Sequence, residues 1–495
     1  MEEEYYENQL RTINDKFENL EKQFEKGEKC IVIQLGSRLT KFGWANTAVQ
    51  QTIHTVVSFR NPNPIESTAE FNDPTIVRSP DFEDVYAAVV EDKKNLLSKQ
   101  KKSKGQSKIP TPLIDDFILD DGKELLAANP IYFVGKMCAN SNYITRFPLF
   151  KGNFNISPVY KEEQILNDLI LIFEEVIFRQ LGILPTGLKD YDLVLCLPDN
   201  FERKNFERLI DSVIKRFMFN GICLYYESVL ACFANCVPIA LWIDFGYTKT
   251  TLIGVEEGVQ ISETLTVADV GIRNILGFLA DTLESKRGIR INEYDNGELL
   301  EKLITNFGAF TFDQKTTDEK IEEPQKLIKI NLKNRMTNQI DEIIFSKDDF
   351  LLALNSVFYE QEGCGGATLD KAVFEFLSKI SSEELKPKYL LSMVFTGGLA
   401  ELKGFVSEFE DRLINRVVVE NSPIEEVAVI DMSSRGIFKN EAVFQGACIL
   451  PKLDCFNDIL ILTNTYLGIF KGDEKTDKRS LVGKHYLKEK VPFQW

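Results

Sequence analysis

The sequence predicts an α/β protein whose two related halves face each other across a cleft. Two similar glycine-centred hairpins, at residues 30–45 and 241–258, indicate an internal duplication. Between them, short apolar strands alternate with amphipathic helices, which is typical of α/β layers. The 495 residues are enough for two or more domains with their own cores.

The second hairpin, LWIDFGYTKTTLIGVEEG at residues 241–258, places a carboxylate where its first strand ends. Asp244 needs a partner there, because an unpaired buried charge is costly, and a bound cation or a phosphate-bound metal is one such partner. Gly246 predicts a tight turn, and the backbone N–H groups of such a turn can hold phosphate oxygens.

The first hairpin, CIVIQLGSRLTKFGWA at residues 30–45, repeats the pattern with Gly36 in its turn and Lys41 on the return strand. A single hairpin of this kind usually binds nothing, whereas two in one chain favour a ligand shared between them. The copies differ at the chemically important position, since Gln34 stands where the second hairpin has Asp244.

Composition argues against several classes of function. The net charge of −17 and the pI of about 4.9 disfavour a surface that coats nucleic acid, so any DNA contact must be local. The acidic start MEEEYYENQL is unlike a signal peptide, and no apolar run approaches the roughly 18 residues of a membrane span. Nine cysteines without a tandem CxxC pattern indicate reduced thiols, and the two histidines, His54 and His485, do not suggest zinc or a catalytic triad.

Residues 1–29 predict a helix with one apolar stripe. The stripe follows a spacing of four and three residues, and its members are Tyr6, Leu10, Ile13, Phe17, Leu20 and Phe24. The helix either packs on its own domain or docks another subunit.

The core elements follow in order. Apolar runs predict strands at 51–60, 131–135, 193–197, 221–226 and 389–396. Helical periodicity predicts helices at 161–181, after a cap at Asn200, at 228–236, after Gly271, at 369–380, at 401–414 and from 441 onward. Gly397 and Gly398, between a strand and a helix, suit an anion or the edge of a ligand, or form a plain βα turn.

Two segments have the composition of insertions, residues 61–130 and residues 311–345. The first contains a basic cluster made of Lys93, Lys94, Lys99, Lys101, Lys102, Lys104 and Lys108. Lysines on a flexible loop act as point charges that suit phosphates, so we expect this cluster to contact DNA or another polyanion. The alternatives are a solvated loop that keeps the chain soluble and an import signal.

Four stretches carry a family resemblance: RFPLFKGNFNI at 146–156, LPDNFERKNFERLIDSVIKRFMFNGICLYYESV at 197–229, LDKAVFEFLSKISSEELKPKYLLSMVFTGG at 369–398 and the tail that ends in Trp495. Together with the order of elements they resemble the actin-related proteins, in particular the branch that serves in chromatin remodelling. The resemblance covers most of the chain from about residue 30. It implies an actin-like two-lobed fold, with duplicated ribonuclease-H-like halves around a nucleotide cleft. The predicted division is a docking helix at 1–29, a first lobe at 30–240 and a second lobe at 241–495.

In that family ATP and a divalent metal such as Mg²⁺ lie between the two hairpins. The resemblance implies that the nucleotide and its metal are held by Gly36, Ser37, Lys41, Asp244, Gly246, Gly397 and Gly398, with Asp244 on the metal side. Four positions depart from the family pattern: Gln34 and Tyr247 replace carboxylates, Arg38 replaces a turn glycine, and Glu227 replaces the glutamine that positions the attacking water. Because phosphoryl transfer depends on positioned water and on metal charge, these changes predict weaker nucleotide binding and little turnover.

Two of these departures have alternative interpretations. Arg38 either binds a phosphate oxygen or points to solvent. Glu227 is a weak candidate for residual catalysis, or it is a core-edge glutamate paired with a lysine.

The resemblance implies a nuclear, non-enzymatic subunit of an INO-type chromatin-remodelling complex. Its implied partners are a helix of the motor subunit, actin, actin-related protein 4, nucleosomes, histones and linker DNA, and no membrane. The alternatives are an ATPase or kinase on the same fold, which needs a general base in the cleft, and a cytoplasmic adaptor subunit.

Overall fold

The computed structural model describes residues 27–60, 82–100, 132–135, 143–290, 298–307, 327–333, 340–360, 368–419, 426–470, 486–487 and 490. The helix predicted at residues 1–29 lies almost entirely outside these ranges. The side chains of the basic cluster also lie outside them.

Seventeen strands are described, and the bounds of each follow. They are β1 Cys30–Leu35, β2 Leu39–Trp44, β3 Gln51–His54, β4 Val57–Arg60, β5 Tyr132–Val134, β6 Tyr143–Arg146, β7 Leu149–Phe150, β8 Asn153–Phe154, β9 Asp192–Leu197, β10 Gly221–Tyr226, β11 Ile239–Phe245, β12 Thr250–Glu256, β13 Val259–Ala268, β14 Leu327–Lys333, β15 Ile340–Ser346, β16 Met393–Thr396 and β17 Ile461–Leu462.

The described α-helices number thirteen. They are α1 Phe82–Gln100, α2 Glu162–Glu174, α3 Arg203–Phe217, α4 Glu227–Asn235, α5 Ile272–Arg287, α6 Glu298–Phe307, α7 Lys347–Asn355, α8 Leu369–Ser378, α9 Leu385–Leu390, α10 Phe405–Val419, α11 Ala442–Ala447, α12 Phe456–Ile459 and α13 Thr463–Phe470. Among the described residues, no helix combines the length and the apolar character that crossing a membrane requires.

The two main sheets have the same pattern of strand pairing around their hairpins, as the predicted duplication requires. The first has the strand order β17-β10-β9-β1-β2-β3, and the second has the order β13-β12-β11-β16. In each, the first strand of a hairpin pairs antiparallel with its return strand and parallel with a later strand: β1 with β2 and β9, and β11 with β12 and β16. Because the parallel strands end at the same edge, residues at the ends of β1, β9, β11 and β16 are brought together.

Apolar side chains from these sheets and the covering helices form three buried clusters. One lies in the first lobe, one in the second, and the third joins β1 and β9 to β11 and α11. Ile461 and Tyr466 belong to the first-lobe cluster, and β17 pairs with β10. The chain therefore returns to the first lobe after the second, which the predicted division at residue 240 did not anticipate.

The structure corrects the predicted elements in three places. Residues 51–60 form two strands in different sheets, because the chain turns at Thr55, whose N–H donates to the carbonyl of Arg38 at 2.9 Å. Asn200 caps no helix, since the cap residue of α3 is Glu202. Tyr389 belongs to α9, and the strand that was predicted from residue 389 begins only at Met393, because a buried helix end and a buried strand have the same apolar composition.

Both predicted insertions contain regular structure. Helix α1 lies in the first and packs on the second lobe, where Phe82 contacts Phe278 with ring centroids 5.1 Å apart. Strands β14 and β15 form a two-stranded antiparallel sheet in the second. Residues 93–100, expected in a flexible loop, continue the backbone of α1.

Candidate functional site

The turns of the two hairpins meet across the cleft. The hydroxyl oxygens of Ser37 and Thr248 lie 3.3 Å apart, and the N–H of Lys151 donates to the Thr248 hydroxyl at 3.2 Å. Three segments far apart in the chain thus converge where the parallel strands of both sheets end. The prediction that the two turns lie on opposite walls of one cleft is confirmed.

The same backbone geometry closes both turns. A Cβ at Gly36 would lie 2.7 Å from the carbonyl oxygen of Leu39, and one at Gly246 would lie 2.8 Å from that of Lys249. In both hairpins the crowding carbonyl belongs to the residue three positions after the glycine. Glycine is therefore required at both turns, and its small size lets a ligand approach the backbone.

The third predicted glycine element faces the second hairpin. Gly397 has a φ of 93°, and a Cβ there would lie 2.3 Å from the carbonyl oxygen of Phe245. A Cβ at Gly398 would contact Ile272 at 3.1 Å. The absence of side chains at this glycine pair thus lets the end of β16 pack closely against β11 and the start of α5.

Gln34 and Glu227 form a buried hydrogen-bonded pair. Gln34 Nε2 donates to Glu227 Oε1 at 2.7 Å, and among the described residues nothing bonds Gln34 Oε1. Burial, followed by the nearby Asp244 carboxylate, raises the pKa of Glu227 to about 8, so its carboxyl holds a proton near neutral pH. The direct partner of Glu227 is therefore the amide of Gln34, whereas Lys249, the nearest match to the predicted lysine partner, acts on it only through its charge.

Asp244 lies at the end of β11, as predicted, and its Oδ1 accepts from the hydroxyl of Thr396 at 3.0 Å. Burial raises the pKa of Asp244. Within the described ranges no group of three histidine, cysteine or acidic side chains is placed to hold a metal ion. Mg²⁺ accepts one or two carboxylates when phosphates supply further ligands, so Asp244 and the free oxygen of Gln34 fit a nucleotide-bound metal but not a metal held by protein alone.

Lys41 reaches the segment before α11. Its ammonium donates to the backbone carbonyl of Asn440, whose own N–H donates to Glu401 at 3.0 Å. Burial lowers the pKa of Lys41, while Asp244 and Glu227 act in the opposite direction. Lys41 thus contributes charge to the cleft from a fixed position.

Arg38 follows neither predicted path. Its guanidinium forms an ion pair with Glu301 of α6 at 2.6 Å and lies over the ring of Tyr247, 5.1 Å from the centroid. Only 4% of the Arg38 side chain is exposed, against 26% for Glu301. Arg38 and Tyr247, both departures from the family pattern, therefore join the two lobes at the mouth of the first turn.

A second cross-lobe contact involves the β7–β8 hairpin. Lys151 Nζ pairs with Asp269 at 2.6 Å, and the guanidinium of Arg273 lies 4.9 Å from the centre of the Phe150 ring. Sequence reasoning missed this hairpin, although it lies within the stretch RFPLFKGNFNI.

Lys249 is the other functional side chain that sequence reasoning missed. It lies in the turn of the second hairpin, but its ammonium crosses the cleft and donates to Asn200 Oδ1 of the first lobe. Burial lowers the pKa of Lys249 to about 8, opposed by Asp244 and the other carboxylates of the cleft. The one available clue was a lysine placed between two threonines, Thr248 and Thr250, beside the glycine turn.

Comparison with known proteins identifies the scaffold. A model of the actin family matches residues 25–296. The actin-like protein ARP8 of Saccharomyces cerevisiae is 24% identical over 263 residues, which are 51% of this chain and 28% of that protein. Actin-related protein 8 of Homo sapiens is 28% identical over 142 residues, covering 28% of this chain and 23% of that protein. Actin-related protein 9 of Arabidopsis thaliana is 24% identical over 140 residues, 28% of this chain and 24% of that protein.

These alignments span only about a quarter of the length of each relative. Among solved structures, human actin-related protein Arp8 in its ATP-bound state superposes with a TM-score of 0.74. The superposition covers 95% of this chain and 98% of that one at 20% identity. This likeness confirms the predicted two-lobed fold.

Proposed function

Because the chain belongs to the actin family, we propose that it is a non-motor actin-related subunit of an INO-type nuclear chromatin-remodelling complex. Similarity to the actin-like protein ARP8 over half of the chain supports this assignment. In such a complex the protein would join actin and actin-related protein 4 on a helix of the motor subunit. It would aid the recognition of nucleosomes, histones and linker DNA.

The cleft serves in this proposal to bind ATP with little or no turnover. The observation that carries the proposal is the hydrogen bond between Gln34 and Glu227. Hydrolysis needs a positioned water, and a carboxyl that is already bonded and protonated near neutral pH is a poor acceptor for a water proton. The nucleotide therefore acts as a structural ligand.

Each element of the cleft has a place in this binding. The turns at Ser37 and Gly246 would face the phosphates, and Asp244 would hold a metal ion bound to them. Gly397 and Gly398 would border the adenosine. Bound ATP would supply negative charge and hydrogen-bond acceptors between the lobes, where Ser37 and Thr248 already lie 3.3 Å apart.

DNA recognition is assigned to the basic cluster at residues 93–108. Its seven lysines stand out in a chain whose net charge is −17. Phosphate contacts by lysine supply affinity without sequence preference, which suits a subunit that contacts linker DNA of any sequence.

Affinity purification from the native cell tests the proposed complex. We expect the motor subunit, actin and actin-related protein 4 to co-purify from a nuclear extract. Recovery from the cytoplasm with none of these subunits would instead favour the adaptor alternative.

Steady-state turnover tests the proposed lack of enzymatic activity. We expect ATP hydrolysis with Mg²⁺ to be far slower than the roughly 1–100 per second of kinases. Turnover within that range would favour an ATPase or kinase.

A further inference from the structure

The ammonium of Lys249 is buried, and its one hydrogen-bond acceptor among the described residues is a neutral amide. The residue is only 7% exposed, and its Nζ donates to Asn200 Oδ1. A lysine ammonium carries three donors, so two remain for another acceptor. Within the described part of the chain, no carboxylate forms an ion pair with this ammonium. Asp244 and the other carboxylates of the cleft act on this charge from beyond ion-pair distance, so an anion that reached the ammonium would be its first direct counterion among the described residues.

The acidic side chains around Lys249 are already engaged elsewhere. Asp199 accepts from the hydroxyl and the N–H of Ser228, Glu227 from Gln34, and Asp244 from Thr396. None of them is therefore the direct counterion of Lys249.

The first lobe fixes the position of this ammonium. Asn200 Nδ2 donates to the carbonyl of Lys151 at 2.9 Å, which turns Oδ1 toward Lys249. Asn153 holds the same loop, since its side-chain amide donates to the carbonyl of Asn200 at 2.9 Å. The ammonium is thus held in place before any ligand arrives, which reduces the entropy lost on binding.

The β7–β8 turn leaves space for the same group. Gly152 has a φ of 76°, and a Cβ there would lie 2.8 Å from Lys249 Nζ and 2.4 Å from Asn200 Oδ1. A side chain at this position would displace the Lys249–Asn200 pair.

We infer that Lys249 is an anion-binding residue whose ammonium contacts the polyphosphate of a nucleoside triphosphate bound in the cleft. The neighbouring residue Thr248 meets Ser37 of the opposite turn, so Lys249 lies where both phosphate-facing turns converge. The ammonium neutralises phosphate charge that a divalent metal would otherwise neutralise. The affinity for nucleotide therefore depends less on a divalent metal than it would in a cleft with the same two turns but without this lysine. The inference rests on the proposed nucleotide-binding role of the cleft.

The test compares nucleotide affinity with and without metal. Binding of ATP is measured by calorimetry in Mg²⁺ and in EDTA for the parent chain, for Lys249→Met and for Lys249→Gln. The glutamine variant keeps a donor for Asn200, so a folding defect of the methionine variant would not decide the outcome. In EDTA we expect both variants to lose about 10- to 100-fold in affinity, as for a charged hydrogen bond that is removed.

Two probes separate an anion site from a purely structural lysine. Inorganic tripolyphosphate should raise the melting temperature of the parent chain and not that of the variants. Adenosine should bind parent and variants within about twofold. Lys204→Met is the control, because this exposed lysine of α3 is paired with Glu162 and contacts none of the cleft residues described above, and its ATP affinity should change by less than about threefold.

Equal ATP affinity of the parent and both variants in EDTA would overturn the inference. So would a parent chain that binds no ATP or tripolyphosphate in EDTA. Neither result bears on the subunits that co-purify from the nucleus, so the proposed complex membership would stand or fall separately.

Discussion

The guanidinium of Arg38 lies 5.1 Å from the centre of the Tyr247 ring, so two substitutions in opposite turns contact each other across the cleft. Arg38 also reaches Glu301 at 2.6 Å. A turn that would be glycine in the family pattern thus provides a bridge between lobes. In this cleft, positions 38 and 247 are thus engaged in direct contacts within the protein.

Removing this bridge should destabilise the protein. Arg38→Ala eliminates a nearly buried ion pair and the contact with Tyr247, and we expect the free energy of unfolding to fall by about 1–3 kcal/mol. Urea unfolding measures the change. The exposed pair of Arg203 with Glu207 is the control, and Arg203→Ala should cost less than about 1 kcal/mol. Equal losses in both variants would contradict a bridging role for Arg38.

Stability should depend on pH through Glu227. Its folded-state pKa of about 8 lies above the usual value of about 4.3, so between these values the folded state binds more protons than the unfolded one. Stability therefore falls as pH rises through this window and levels off above about pH 8. Urea unfolding from pH 5 to 8 should show a flatter profile for Glu227→Gln than for the parent. Glu263→Gln, at an exposed site on β13, should keep the slope of the parent chain.

Metal-dependent nucleotide binding should require Asp244. Asp244→Asn keeps the shape of the side chain but removes the charge that a metal needs, so Mg²⁺ should no longer increase ATP affinity. Calorimetry with Mg²⁺ and with EDTA gives the difference. Asp211→Asn, on the surface of α3, serves as the control. If Asp244→Asn responds to Mg²⁺ as the parent chain does, Asp244 is not a metal ligand.

The basic cluster should give DNA binding that weakens with salt. If about four lysines engage phosphates, the logarithm of the affinity should fall with the logarithm of salt at a slope near −3.6, at roughly −0.9 per phosphate. Fluorescence anisotropy with linear duplex DNA measures the slope. Changing all seven lysines to glutamine should flatten it with little effect on melting temperature, and an unchanged slope would remove this segment from the DNA interface.

Local pattern was enough for much of the fold. Residues 221–226 form the predicted strand without a shift of either boundary, because a short apolar run between Gly221 and the helix that starts at Glu227 leaves few alternatives. The two turns were also predictable, since a tight turn favours glycine and both hairpins have one, Gly36 and Gly246.

The partners of the site residues were not predictable, because they depend on tertiary contact. Arg38 pairs with a residue 263 positions away, on helix α6, which the sequence analysis did not predict. Asn200 has the local sequence of a helix cap but serves instead as an acceptor for Lys249. The partners of these side chains are set by contacts between the two lobes, and a local sequence pattern carries no information about those contacts.

The pairing of β17 with β10 has a consequence for biosynthesis. The first sheet receives its edge strand from residues 461–462, which leave the ribosome long after β10 at residues 221–226. At synthesis rates of about 5–20 residues per second, the nascent first lobe exposes that edge for on the order of ten to fifty seconds. An unpaired strand edge is a template for pairing with other chains, so the nascent first lobe is most prone to aggregation while the second lobe is being translated. For the same reason residues 30–240 expressed alone would lack both the edge strand and Tyr466 of their own core.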